Sequence, residues 1–568
     1  MGYECPVKHG ILLIGVLLLT GVAYSGLLTA GFAWDDYSLV RDNALTPDWA
    51  NFSEFFSVDL WETTRLAPHP SGFYRPLFLV SLAMDHSLGN GAAGFGHAHS
   101  ILWHLLSVCL IYRLGQQLHS SSTGLIAAGI FALHPVQHEA VALIAARNDS
   151  MATSFCVMAL LCLLAQSVSR KHLFLGGLAL LMALFSKESA ILAPLFLLAL
   201  DWARWGKAGA RARYIAMAIA VFVYFIFRTS SSVGSSPWPS AAQWGDGIAQ
   251  FPKIAGAYAE MLLWPSYLTP ARSTDYLDPA ATLAPFLALA VLGMAVLIRM
   301  GRENRLIWAF LAWGFLCLAP TFLVTLGKGN LGERYLYMPM AGISLAVALA
   351  LPARRLTGLV LGAFAVLSVL QIVPRNADWK DYASLWSAAY EERPSTYTAG
   401  GYAWAKENIE DDPLGARELY MEALRGEPVY RTACEAAVLV NVRLKRFESA
   451  VAVAEWAHTE RQCAPSPLFT DAYLYAMGGS GEHQKIKQLF GGNRGGPKPS
   501  QAAILSYAAF RRDENGARQI LSSSPNPQGL LSEAIFFSTE IVRDSPTANW
   551  LRASTTPPAA GAAGDRSP

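Results

Sequence analysis

From Ile11 to Ala30 the chain carries no charged residue. As a helix rising about 1.5 Å per residue, that run reaches across a hydrocarbon core of roughly 30 Å. Such a segment keeps its backbone N–H and C=O groups inside its own hydrogen bonds, the condition for lying in lipid. Lys8 is the only Lys or Arg before it, the apolar stretch is longer than the core of a signal peptide, and more apolar blocks follow. The run therefore reads as a retained first span. Further spans are expected at about 98–118, 124–142, 149–168, 172–186, 189–203, 213–230, 281–299, 305–326, 336–351 and 355–374, making about eleven, with Phe251 to Leu268 as a re-entrant or interfacial helix. Of the 568 residues, 53% are hydrophobic and only 15% charged, which excludes a single soluble globule. The fold class expected is all-α, a polytopic transmembrane helical bundle.

Basic residues in short loops favour the cytoplasmic side. The clusters Arg170-Lys171, Arg204 to Arg213, Arg299 to Arg305 and Arg354-Arg355 alternate with the proposed spans so that all fall on one side, which also takes the N-terminus. The loops 31–97, 231–280 and 327–335, and everything after 374, then face outward. Residues 375–568 hold 21 of the 44 Lys and Arg and 23 of the 42 Asp and Glu. A soluble, slightly acidic domain is therefore expected to follow a membrane domain of residues 1–374.

In that domain Trp379, Leu385, Trp386 and Tyr390 lead to Pro394, and Ala416, Tyr420, Ala423 and Leu424 lead to Pro428. The two prolines are about 34 residues apart, the tetratricopeptide period. Degenerate repeats are expected over 375–490, further helices over 491–554 and a disordered tail over 555–568. Cys434 and Cys463 both lie in this outward part, where an oxidising compartment permits a disulfide; their spacing leaves the paired and unpaired states open.

Asp35 and Asp36 stand at the mouth of the first span, where an acid can meet a lipid-borne and a water-borne molecule together. The alternative is a helix cap or solvated turn. His97 and His104, seven residues apart, share a helix face. His134, His138 and Glu139 could offer metal ligands, but the zinc-protease order His-Glu-x-x-His is absent. The chain also lacks a Gly-x-x-x-x-Gly-Lys-Ser/Thr phosphate loop, a Cys-x-x-Cys pair, a Gly-x-Ser-x-Gly elbow and any basic stretch interleaved with aromatics for nucleic acid.

Eight segments occur in a telling order: Phe32-Ala33-Trp34-Asp35-Asp36, Tyr74-Arg75-Pro76-Leu77, His97 with His104, Ala132-Leu133-His134-Pro135-Val136, Glu139-Ala140-Val141, Arg147-Asn148-Asp149, Ser186-Lys187-Glu188-Ser189-Ala190 and Glu333-Arg334-Tyr335-Leu336-Tyr337. Over about residues 10–430 this order resembles the transmembrane and tetratricopeptide-repeat O-mannosyltransferases and their bacterial relatives, of the glycosyltransferase C superfamily. Ser100 departs from the family pattern, which often has Asn there, and Gln137 separates Val136 from His138 where a His usually follows directly.

The resemblance implies a membrane glycosyltransferase that moves a sugar from a polyprenyl-phosphate donor to an acceptor hydroxyl on the outer face. It makes Asp35 the general base, with inversion at the sugar carbon, and Asp36 a residue that orients Asp35 or binds sugar hydroxyls. Arg75, His97, His104, Lys187, Arg334 and Tyr335 are expected to bind donor phosphate or sugar, with snorkelling as the alternative for the cations. Glu139 and Asp149, together with Asp36, are candidates for a divalent metal, and Glu188 is a candidate partner for Lys187. The implied acceptor is an exported protein such as a pilin, held by the repeats, and the implied location is a bacterial inner membrane with the C-terminal domain in the periplasm. The alternative from another class is a non-catalytic membrane scaffold that recruits exported proteins through its repeats.

Overall fold

The computed structural model describes residues 6–64, 71–234, 253–263, 304–328, 330–351, 355–426, 431–461, 467–481 and 500–554, with isolated positions between them. The proposed span at 281–299, most of the loop 231–280 and the tail 555–568 lie outside the described residues.

The chain forms two compact units, residues 1–392 and 393–568. Among its described residues the first is mostly helical: α1 (Pro6–Ala23), α2 (Pro76–Gly89), α3 (Ala93–Leu118), α4 (Ser121–Leu133), α5 (His138–Ala142), α6 (Arg147–Leu163), α7 (Arg170–Ser186), α8 (Ala193–Trp205), α9 (Arg211–Thr229), α10 (Arg305–Lys328), α11 (Tyr337–Ala350), α12 (Arg355–Asp378) and α13 (Tyr382–Glu392). Local chemistry sets their ends. Ser120 and Ser169 accept backbone N–H groups to open α4 and α7, Pro76 starts α2, and Gly206 closes α8 at a φ of 67°. The first apolar run is helical only to Ala23 and then tightens into the 3-10 turn Ser25–Thr29. Pro135 supplies no N–H to carry α4 onward, so the expected span 124–142 stops at Leu133 and continues as a short turn and α5. The α3–α4 crossing is close because a Cβ on Gly115 would fall 2.7 Å from the Cα of Gly124.

Among the described residues, three helices are long and apolar enough to cross a membrane: Ala93–Leu118, Arg211–Thr229 and Leu356–Asp378. The other described apolar helices near the expected positions are shorter or more polar. Leu359 of α12, Phe222 of α9 and Leu18 of α1 leave 72%, 66% and 65% of their surface uncovered by protein. Apolar surface of that extent suits lipid rather than water. A two-residue antiparallel pairing, β1 (Arg272–Ser273) with β2 (Asn330–Leu331), ties the 231–280 loop to the 327–335 loop.

The first unit reaches beyond Pro374, which sits inside α12. Trp379 and Leu385 are buried in the core of this unit and Trp386 is 1% exposed. The segment expected to open the repeats therefore packs on the membrane bundle, because the aromatic stripe that reads as a repeat face finds partners there.

The second unit contains α14 (Thr396–Asn408), α15 (Pro413–Arg425), α16 (Arg431–Arg443), α17 (Phe447–Thr459), α18 (Pro467–Ser480), α19 (Gln501–Phe510), α20 (Glu514–Ser523), α21 (Pro527–Phe536) and α22 (Ser545–Ser554). From α14 to α18 each helix packs on the next. Asn441 of α16 accepts from Arg417 of α15 at 2.8 Å, and Glu407 of α14 pairs with Arg443. A disulfide joins Cys434 and Cys463, whose Cα atoms are 6.3 Å apart.

Candidate active site

The loop after α1 is held from several directions. Gly31 donates its N–H to the carbonyl of Lys380 at 2.6 Å, and His97 of α3 contacts the Gly31 carbonyl at 2.9 Å. Trp34 adopts a left-handed φ of 46°, a conformation that a bulky residue keeps only where its surroundings impose it. Its ring meets Trp386 of α13 edge-on at 5.7 Å, and Tyr37 meets Tyr382 at 5.2 Å. Trp386 belongs to the aromatic stripe expected to face a repeat. Together with Tyr382 it clasps the loop 31–37 instead, and no local sequence pattern connects either residue to that loop.

The two acids of the loop differ. Asp36 is fully buried and spends both oxygens on backbone N–H groups, Ala145 at 2.7 Å and Ala33 at 3.4 Å. Burial pushes its carboxyl up to about 7 against the pull of those hydrogen bonds. It pins the loop to the turn before α6. Asp35 is half-buried and close enough to Arg334 to help hold that guanidinium charged.

Arg334 lies in the turn Glu333–Leu336. Its guanidinium sits 4.6 Å from the Trp34 ring centre and 5.0 Å from that of Tyr335, and it pairs with Glu139. Burial works against its charge, and Glu139, Tyr335 and Asp35 outweigh that cost, so its pKa rises. Glu139 is itself fully buried and also accepts the N–H groups of Glu333 at 2.6 Å and Arg334 at 3.2 Å. One carboxylate therefore fixes both the backbone and the side chain of Arg334. Behind it, Arg375 grips both oxygens of Glu333 at 2.7 Å, a pairing that the sequence reading missed.

Lys187 reaches Asp149 at 2.5 Å and lies 5.3 Å from the Tyr335 ring centre. Glu188 turns instead to Arg75, with contacts at 3.1 Å, and accepts the Tyr74 N–H at 2.9 Å. The expected Lys187–Glu188 pairing thus gives way to two pairs across elements. Burial lowers the pKa of Lys187; Asp149 opposes this, and the charges of Arg75 and Arg334 add to the fall. Lys187 and Arg334 therefore flank Tyr335, and Lys187 lies within electrostatic reach of both Arg334 and Arg75. An anion shared among them would relieve their repulsion through hydrogen-bond donors that each still has to offer.

Two expected ligands serve elsewhere. His104 lies in the core, 2.8 Å from the Tyr337 hydroxyl and 3.1 Å from the Ala132 carbonyl, and His97 holds the loop backbone. The acids do not gather for a metal: Asp36 takes backbone N–H groups, Glu139 takes Arg334 and Asp149 takes Lys187. Among the described residues no three His, Cys, Asp or Glu side chains come together as ligands, so Asp36, Glu139 and Asp149 as placed do not form the expected divalent-cation site.

Residues 88–228 match the family model described as dolichyl-phosphate-mannose-protein mannosyltransferase. The chain is 34% identical over 190 residues to Protein O-mannosyl-transferase Tmtc2 of Drosophila melanogaster, a match covering 31% of this chain and 20% of that one. To Protein O-mannosyl-transferase Tmtc1 of the same organism it is 32% identical over 193 residues, covering 32% and 22%. The chain thus spans about a fifth of the length of these curated relatives. ArnT from Cupriavidus metallidurans bound to undecaprenyl phosphate is similar at 14% identity and a TM-score of 0.39, over 86% of this chain and 80% of that one. The resemblance carried by the motifs therefore holds for the segment with Glu139, Arg147, Asp149 and Lys187.

Proposed function

We propose that the chain is a membrane glycosyltransferase that transfers a sugar from a polyprenyl-phosphate donor to a hydroxyl of an exported protein at the outer membrane face. The observation that carries this reading is the meeting of Lys187 and Arg334 on either side of Tyr335, with Arg334 stacked on Trp34 of the loop that presents Asp35. A lipid-linked sugar phosphate is an anion at the membrane surface, and this site offers it the remaining donors of cations that carboxylates hold in place.

In the proposed reaction the acceptor O–H gives its proton to Asp35 as its oxygen bonds to the anomeric carbon. The bond from that carbon to the phosphate oxygen breaks, its electron pair leaves with polyprenyl phosphate, and the anomeric centre inverts. Arg334, aimed by Glu139 and stacked on Trp34, meets the charge growing on the departing phosphate, with Lys187 and Arg75 beside it. Asp36 positions the loop, since its oxygens are already taken. The second unit, with its packed helices, is proposed to bind the acceptor protein as degenerate tetratricopeptide repeats, and a pilin is one exported protein of the kind meant.

The test is the intact mass of exported proteins from cells with and without the chain. An added hexose-sized mass that depends on the chain and disappears in Arg334→Gln supports the reading. Equal masses in all three favour a scaffold without transferase activity.

A further inference from the structure

Leu77, Val80, Met84 and Leu88 recur at spacings of three and four, so they share one face of α2. The fold buries the opposite face, with Phe78, Leu82 and Asp85 inside the protein. The uncharged stripe opens from half-buried Leu77 and Val80 to exposed Met84 and to Leu88, which is 68% exposed. A helix of 14 residues is about 21 Å long, too short to cross a core of roughly 30 Å. It nevertheless turns an apolar face away from the protein, which is not a face made for water.

The ends of α2 fix how it lies. Just before its start, Tyr74 packs on Tyr224 of α9 with ring centres 5.8 Å apart, and Arg228 of α9 donates to the Gly72 carbonyl at 2.8 Å. At its close, Gly89 lies against the ring of Phe95 in the first turn of α3, where a Cβ would fall 2.5 Å from that ring. Both α9 and α3 are long and apolar enough to cross a membrane. The contacts fall at the C-terminal end of one and the N-terminal end of the other, which the loop charges assign to the same side. A helix strung between those two ends runs along the membrane surface. Trp49 and Phe52, in the preceding loop, extend its apolar face. Their rings lie 6.1 Å apart, and Trp49 donates its indole N–H to Ser87, the neighbour of Leu88. Phe52 meets Phe56 at 5.5 Å, and Phe56 meets Phe227 near the end of α9 at 6.2 Å. This aromatic ladder makes the surface around Leu88 continuous with the exposed apolar side of a span, where Phe222 and Phe227 stand uncovered.

We infer that α2 and the segment 49–56 form an interfacial anchor, seated at the boundary between headgroups and acyl chains of one leaflet, with Trp49, Phe52, Met84 and Leu88 against lipid. Amphipathic elements of this kind sink about 5–10 Å into that boundary. Tryptophan suits it, since the ring is apolar and its N–H is already satisfied by Ser87. Arg75, at the N-cap of α2, is thereby held close to the depth of lipid phosphates.

The test places the photo-crosslinker p-benzoylphenylalanine at Phe52 or at Leu88 of the full chain in nanodiscs of palmitoyl-oleoyl phosphatidylcholine. The same group at Phe222, midway along α9, is the bilayer reference, and at Arg518, exposed in the second unit, the water reference. Phe52 and Leu88 are exposed, so the melting temperature is expected to stay as in wild type. The expected result is a phospholipid adduct at both positions, seen by mass, with a yield at least tenfold above that at Arg518. Its attachment point is expected nearer the glycerol end of the acyl chain than at Phe222. Yields at both positions equal to that at Arg518 overturn the anchor. Crosslinking to a second copy of the chain overturns it in favour of a dimer interface, and attachment as deep as at Phe222 overturns the placement along the surface. None of these outcomes depends on sugar transfer, so the function proposed above is tested separately.

Discussion

Replacing Glu139 by Gln removes one charge and almost no volume. The lost interaction is a charge-assisted hydrogen bond to Arg334, worth about 1.5–3 kcal/mol. Breaking a fully buried ion pair costs about 3–5 kcal/mol, but the Arg334 side chain is 16% exposed and recovers some hydration. A loss of about 2–3 kcal/mol follows, and if it falls on the transition state it slows transfer about 30- to 150-fold at about 1.4 kcal/mol per decade. The assay is kcat for sugar transfer in membranes, beside melting temperature, for Glu139→Gln, Arg334→Gln and the double variant. Because Glu139 acts through Arg334, the double variant is expected to be no slower than Arg334→Gln alone. Additive losses, or a Glu139→Gln rate within about twofold of wild type, refute this reasoning.

Asp36 has an ordinary pKa of 3.8 and is raised to about 7 in the fold, so the native state holds its proton longer than the unfolded chain does. Its contribution to stability is full below about 4 and lost as pH rises through about 7; Asp36→Asn is expected to flatten the pH dependence of the melting temperature in that window. Trp386→Ala is expected to lower kcat for transfer at least tenfold with donor binding retained, by releasing Trp34, and Trp386→Phe to restore most of it; equal kcat in all three contradicts the clasp. Separating Cys434 from Cys463, 29 residues apart in sequence, by the double Ser variant is expected to cost about 3–4 kcal/mol of stability in the second unit. Faster limited proteolysis within 393–568 measures that loss.

The apolar first helix and the acids after it are legible in the sequence because an uncharged run followed by Asp35 and Asp36 is a local pattern. The cations are legible as types, while their partners are not. Glu188 is next to Lys187 in sequence, yet the turn after α7 sends it to Arg75, and Lys187 finds Asp149 from α6. Glu139 and Arg334 are 195 residues apart, so no spacing rule connects them. Trp379 and Trp386 show why the domain boundary lies beyond the expected one: an amphipathic stripe states that a face is buried, and the same stripe serves a repeat or a helical bundle. The break of α4 at His134–Pro135 follows from proline chemistry, but hydropathy averaged over the run conceals it.

The most direct measurement adds donor and a Ser/Thr peptide to purified wild type and Asp35→Asn and follows polyprenyl phosphate release with glycopeptide formation. Asn retains the shape of the side chain but does not take up the acceptor's proton. Equal amounts of both products are expected in wild type, and a loss of about 10²-fold or more in Asp35→Asn with donor binding intact. Wild-type turnover matched by Asp35→Asn would contradict the general-base role.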